Sequence, residues 1–146
     1  SVSPFNYHVK VGSTFDLLET SSGRVLLTFQ SDKERKRRLE RRKLFMKIEK
    51  TSKLPANQLR EIEKKYSKQT IHKIKKDGCE IVKSLQIVGI TNISYPIIDH
   101  TCYALAALTI PYLNRLSIKN EINIKETSKI LEKYSKELSK ELGFNC

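Results

Sequence analysis

The segment GITNISYPIIDHTCYALAALTIPYL, Gly89 to Leu113, limits the possible folds more than any other part of the chain. Two apolar, β-rich runs flank the turn-forming cluster Asp99-His100-Thr101-Cys102, so the segment reads as an antiparallel hairpin. Side chains alternate along a strand. Ile93, Tyr95 and Ile97 therefore share one face, and Asn92, Ser94 and Pro96 the other. The first face is core. The second carries an amide and a hydroxyl in a strand that reads as central, and Pro96 implies an edge or a bulge there. Across the turn, Ala104, Ala106 and Ala107 leave room, and Thr109 adds a hydroxyl before Pro111. Small residues with a few hydrogen-bonding groups suit a pocket for a small polar molecule. The plain alternative is a wet outer face whose hydroxyls bond to nearby backbone.

The stretch SPFNYHVKVG puts Phe5, Tyr7 and Val9 on one face of a strand, with Gly12 permitting a turn; Tyr7 is a candidate for the pocket wall. TSSGRVLLTF follows. Its spacing predicts a helix with Thr20 as N-cap and Val25, Leu26 and Phe29 buried. In the first turn of such a helix the N–H groups of Ser21, Ser22 and Gly23 have no intrahelical acceptor. They lie at the positive end of the helix dipole, a seat for a carboxylate. Ordinary capping by Thr20 is the alternative.

Ser31-Asp32-Lys33-Glu34 is a capping-box pattern that opens a basic helix to about Lys47. Pro55 marks another helix start, with Leu59, Ile62 and Tyr66 along one side, and Gly78 can close the helical stretch that follows. CEIVKS is a short strand. The last helix begins at Asn123 with Glu126 at its third position, carries Ile130, Leu131, Tyr134, Leu138 and Leu142 as its apolar stripe, and stops at Gly143. Strands and helices mix without a regular βαβ alternation, which points to an α+β domain with an antiparallel sheet.

With 146 residues the chain can build one core. Its net charge of +12 is partly local: residues 31–50 hold ten Lys or Arg against four acids. A basic nucleic-acid-binding module acting through residues 33–50 is therefore the rival to a small-molecule sensor, although Glu34, Glu40 and Glu49 interrupt the block as in a solvated helix. No apolar run approaches the ~18–20 residues of a membrane helix, and the N-terminus is unlike a signal peptide, so no membrane partner is expected. Cys79, Cys102 and Cys146 are widely spaced and form no CxxC pair, which suggests reduced thiols and a cytoplasmic setting. His8, His72 and His100 are scattered without metal-ligand spacing. There is no phosphate loop, nucleophile elbow or carboxylate pair, so neither catalysis nor a metal or cofactor is expected.

Three blocks, SPFNYHVKVGSTFDLLETSSGRVLLTF, KKDGCEIVKSLQIVGITNISYPIIDHT and YALAALTIPYLNRL, resemble in order and spacing the effector-binding domain of IclR-type transcriptional regulators. The terminal helix ending in KELSKELGF fits as well. The resemblance implies a GAF-like sensor: a curved antiparallel sheet flanked by helices, with a pocket on its concave side. It also implies dimers or tetramers in which a separate N-terminal winged helix-turn-helix binds operator DNA, under control of a small organic acid or aromatic metabolite. The sequence enters at what resembles a later strand of that domain, so a truncated sensor is expected, with DNA contacted only through the missing part. By resemblance, Thr20, Ser21, Ser22 and Gly23 hold the effector's acid group, and Asn92, Ser94, Thr109 and Tyr7 complete the site. Cys102 stands where the family's hairpin turn often has glycine. A side chain disfavours positive φ, so a different turn geometry is expected.

Overall fold

The computed structural model describes residues 9–48, 54–114 and 123–146. At its centre β2 (Ile90–Ile98) pairs antiparallel with β3 (Ala104–Leu113) on one side and with β1 (Glu80–Lys83) on the other. The hairpin register sets Asn92 opposite Pro111, Ile93 opposite Ile110, Ser94 opposite Thr109 and Tyr95 opposite Leu108. Opposed residues share a face, so the polar and apolar faces inferred from alternation are both present. The register shifts between Ile97 and Ile98, one residue beyond Pro96. Pro96 itself lies beyond the β1 ladder, which ends at Ser94, so this part of β2 is paired only with β3 among the described residues, the setting of an edge strand in which proline is tolerated.

The turn departs from expectation. Cys102 adopts φ 67, the left-handed conformation usually left to glycine. Asp99 stabilises it: its Oδ1 accepts from the Thr101 N–H at 2.8 Å, while its carbonyl accepts from the Cys102 N–H at 3.1 Å. Cys102 is also tied to Cys146 by a disulfide, their Cα atoms 6.0 Å apart. The thiols are thus not all free, and the cysteine-based argument for a reduced compartment loses its support.

Helices cover both faces of the sheet. On the Asn92–Ser94 face lies α1 (Ser21–Thr28), backed by α2 (Asp32–Ile48), α3 (Ala56–Lys65) and α4 (Lys68–Asp77). Leu18, Leu27, Ile62 and Tyr66 form the core of this layer. In the second half of α1 Val25, Leu27 and Thr28 are buried, whereas Leu26 and the capping Phe29 are only half-buried, one position off the expected pattern. Thr28 is buried because its hydroxyl is satisfied twice: it donates to the Arg24 carbonyl at 2.7 Å and meets the Tyr66 hydroxyl at 3.0 Å. Between α3 and α4 the chain breaks at Ser67, whose side chain caps the Thr70 N–H, and α4 ends on Gly78 at φ 72.

On the other face α5 (Ile124–Glu141) packs over Cys79, Ile93 and Tyr95. It does not bury the expected stripe. Leu131 is inside with Ser128, Ser135 and Ser139, while Ile130, Tyr134, Leu138 and Leu142 are exposed. Small side chains let the helix approach the sheet closely, and each serine finds a partner. Ser128 meets the Tyr95 hydroxyl at 2.8 Å, Ser135 donates to the Glu132 carbonyl, and Ser139 donates to the Ser135 carbonyl while accepting from the Ile98 N–H at 2.9 Å. Buried hydroxyls satisfied in this way carry no desolvation penalty.

Candidate functional site

The entry to α1 is built from its own polar groups. Thr20 is extended (φ −113°, ψ 146°), its Oγ1 accepts the Gly23 N–H at 3.1 Å, and its carbonyl accepts the Arg24 N–H at 3.1 Å. The N–H groups of Ser21 and Ser22 have no acceptor among the described residues, as the first turn of a helix leaves them. The preceding loop is held by Asp16. Its carboxylate accepts from the Leu18 and Glu19 N–H groups and from the buried guanidinium of Arg42 on α2. Gly23 has a packing role: a Cβ there would overlap the backbone of Leu17.

A chain of hydroxyls then pins this turn to the sheet. Ser21 Oγ lies 2.6 Å from Ser94 Oγ, which lies 2.8 Å from Thr109 Oγ1. Ser21 and Ser94 are sealed from solvent, at 1% and 0% exposure, so these bonds form in a low-dielectric setting. α1 is locked further by Arg24, whose Nε donates to Glu80 on β1 at 2.9 Å and whose Nη1 donates to the Leu18 carbonyl at 2.7 Å.

Between the first turn of α1 and the polar face of the hairpin lies a cavity of about 230 Å³. Thr20, Ser21, Ser22, Asn92 and Thr109 all line it, so five of the residues singled out from the sequence converge. Ser94 sits behind the wall and Gly23 beside Leu17; neither lines the cavity. Tyr7 lies outside the described residues. The Asn92 carboxamide has no hydrogen-bond partner among the described residues, and Thr109 uses only part of its hydrogen-bonding capacity on Ser94.

Five further wall residues were not assigned to the site from the sequence: Val9, Phe15, Ser84, Gln86 and Pro111. Ser84 and Gln86 come from the β1–β2 turn, where Ser84 Oγ accepts the N–H groups of Gln86 and Ile87. Their signal was the register, since Val82 opposes Asn92 and places the end of β1 beside the cavity. No lysine or arginine among the described residues lines it, so that wall offers an anion amides, hydroxyls and the helix dipole.

The basic helix is less available than its composition suggests. Arg37 and Arg38 both bond Glu34, Arg42 bonds Asp16 and Glu63, and Arg35 bonds Asp32 and two backbone carbonyls. The hydrogen bonds from Arg37 and Arg38 hold the Glu34 carboxyl down at about 2. Those four arginines are less free to clamp phosphates, while Lys33, Lys36, Arg41, Lys43 and Lys47 stay exposed.

Comparison with known proteins agrees with this picture. The family model described as "Bacterial transcriptional regulator IclR C-terminal" matches residues 3–140. Among solved structures, the IclR of Thermotoga maritima is 27% identical with a TM-score of 0.65, covering 99% of this chain and 53% of its own. HmgR of Pseudomonas aeruginosa is 19% identical with a TM-score of 0.64, covering 99% of this chain and 52% of its own. The repressor BlcR of Agobacterium tumefaciens is 19% identical with a TM-score of 0.61, covering 95% of this chain and 52% of its own. The chain thus spans about half the length of these relatives. No curated protein matches it at the level of sequence. An α+β fold with an antiparallel sheet, a match over nearly all of its residues and these structural neighbours together establish that the chain belongs to the IclR C-terminal family of bacterial transcriptional regulators.

Proposed function

We propose that this domain is a non-catalytic sensor that takes a small organic acid into the cavity between α1 and the hairpin, and so modulates operator binding by a DNA-binding domain elsewhere in a longer regulator. One observation carries the reading. Ser21 and Ser22, whose backbone amides have no acceptor among the described residues, and Asn92, whose carboxamide has no partner among them, line one cavity of about 230 Å³. The amides, at the positive end of a helix, suit the acid group; Asn92 and Thr109 suit the remainder of the molecule. The volume lies just below the ~300–1,000 Å³ of drug-sized sites, which favours a compact acid. With no cation in the wall among the described residues, binding is expected to depend only weakly on salt, unlike phosphate-backbone binding.

The same reading includes self-association as a dimer or tetramer. Ile130, Tyr134, Leu138 and Leu142 recur every fourth residue along the outside of α5 and its C-cap, and β3 is the last strand of the sheet among the described residues.

A thermal-shift screen of small carboxylic acids, each paired with its neutral amide, tests the proposal. A ligand that binds only the folded state adds about 2.7 kcal/mol at a hundredfold excess over Kd. The expected result is stabilisation by an acid and not by its amide, reduced in Asn92→Ala and Thr109→Ala. An acid that stabilises both variants as well as the parent would place the site elsewhere.

A further inference from the structure

A second, larger cavity of about 540 Å³ lies between the loop Thr14–Leu17 and the exposed side of α2. We propose that it is a separate binding site for a small organic monoanion with an aromatic or otherwise apolar body. The charge count comes first. Arg37, Arg38, Arg41 and Arg42 stand in its wall against Asp16 and Glu34, and Glu63 bonds Arg42. Among the described residues, four cations face three anions, leaving one positive charge unmatched. It belongs to Arg41, which among the described residues has no carboxylate partner and instead lies 5.8 Å from the centre of the Phe45 ring. A guanidinium stacked on a ring keeps its N–H edge free for a carboxylate or phosphate, the geometry at which arginine binds such groups in bidentate fashion.

The apolar part comes next. Phe15 and Phe45 are 49% and 47% exposed, large rings left open beside the charged groups. Leu17 and Met46 extend the apolar wall. The volume falls within the ~300–1,000 Å³ of small-molecule sites, and apolar walls with a few convergent polar groups are their usual make-up. The walls are also fixed in place: Arg42 and Asp16 tie the loop to α2 through a pair whose side chains are 4% and 8% exposed. The site does not depend on the α1 cavity being an effector site. Phe15 lines both, so it is unsuited to telling them apart.

The probe is 2-naphthoate, a rigid aromatic monoanion at neutral pH, with its methyl ester as the neutral counterpart, titrated by calorimetry into the chain. Saturable binding is expected, weakened by about tenfold or more in Arg41→Gln, which matches the loss of one charge-assisted hydrogen bond. Phe45→Ala weakens it as well, Arg41→Lys restores part of it, and Asn92→Ala leaves it unchanged. Arg41 is exposed, so these variants keep the fold, which an unchanged melting temperature checks. Absence of saturable binding, equal affinity for the methyl ester, or equal affinity for Arg41→Gln each overturns the proposal. Loss of binding in Asn92→Ala with retention in Arg41→Gln also overturns it, by moving the probe to the α1 cavity.

Discussion

Ser94→Ala removes one oxygen from the middle of the hydroxyl chain that joins α1 to the sheet. Two hydrogen bonds go with it, to Ser21 Oγ and to Thr109 Oγ1. The consequences for the two partners differ. Both border the cavity, but Thr109 is half-exposed and can turn to water, whereas Ser21 is 1% exposed and its hydroxyl is left without a partner. A net hydrogen bond contributes about 1 kcal/mol, and a buried polar group stranded without one costs about 1–3 kcal/mol. The expected loss is therefore about 2–3 kcal/mol, a fall of roughly 5–10 °C in Tm for a domain of this size. Urea unfolding should show it as a lower midpoint with an unchanged slope. Ser21→Ala alone strands less, because Ser94 keeps Thr109. The double variant should accordingly be less destabilised than the two singles added together, with a coupling of about 1 kcal/mol. If Ser94→Ala changes stability by less than about 0.5 kcal/mol, the hydroxyl chain does not anchor α1.

Gly23→Ala should destabilise despite alanine's better helix propensity, worth about 1 kcal/mol, because the new Cβ meets the backbone of Leu17; a raised melting temperature would contradict this. Cys146→Ser opens a cross-link between residues 44 apart, for which chain entropy gives a loss of up to about 4 kcal/mol, seen as a lower Tm that no longer responds to reductant. The Tyr95 phenol is pushed up to about 12, mainly by burial, with the Ser128 hydrogen bond acting in the opposite sense. The folded state thus holds that proton more tightly than the unfolded one. Its contribution is complete below the ordinary value of 10.0 and is lost as pH rises from there through about 12. Tyr95→Phe should flatten the alkaline fall in stability and remove a late-ionising phenol from the ultraviolet titration.

The parts of the fold legible in the sequence are those where local chemistry dictates geometry. Asp99 to Cys102 announces the turn, and alternation sorts the hairpin's two faces correctly. Thr20, Ser67 and Asn123 each cap a helix through the side chain, although only Thr20 and Asn123 were read that way. What was missed depends on tertiary packing. The α5 stripe of Ile130, Tyr134 and Leu138 has an ordinary core-facing period, yet the helix buries serines because close approach to Tyr95 and Ile98 needs small side chains with hydrogen-bond partners. The Cys102–Cys146 pairing likewise joins a turn to the chain's end, a proximity that spacing along the sequence does not reveal. In the candidate site, residues on α1 and the hairpin were accessible to pattern reading. Ser84 and Gln86 were not, since they reach the cavity only through the register of β1 on β2. Ser94 was assigned to the right face, but its burial against Ser21 gives it a supporting position behind the wall.

The proposed effector site is tested most directly by the backbone amides themselves. Nitrogen-15 and proton resonances of Ser21 and Ser22 should be followed while the stabilising acid is titrated in, for the parent and for Ser21→Pro and Ser21→Ala. Proline suits this position, as the first residue of α1 with an extended Thr20 before it. Both variants lack the Ser21 hydroxyl, so only the amide separates them. The predicted result is a saturable downfield shift of both amide protons in the parent, with affinity lower in Ser21→Pro than in Ser21→Ala. Unmoved Ser21 and Ser22 resonances at saturation, together with equal affinity in the two variants, would contradict carboxylate binding at the first turn of α1.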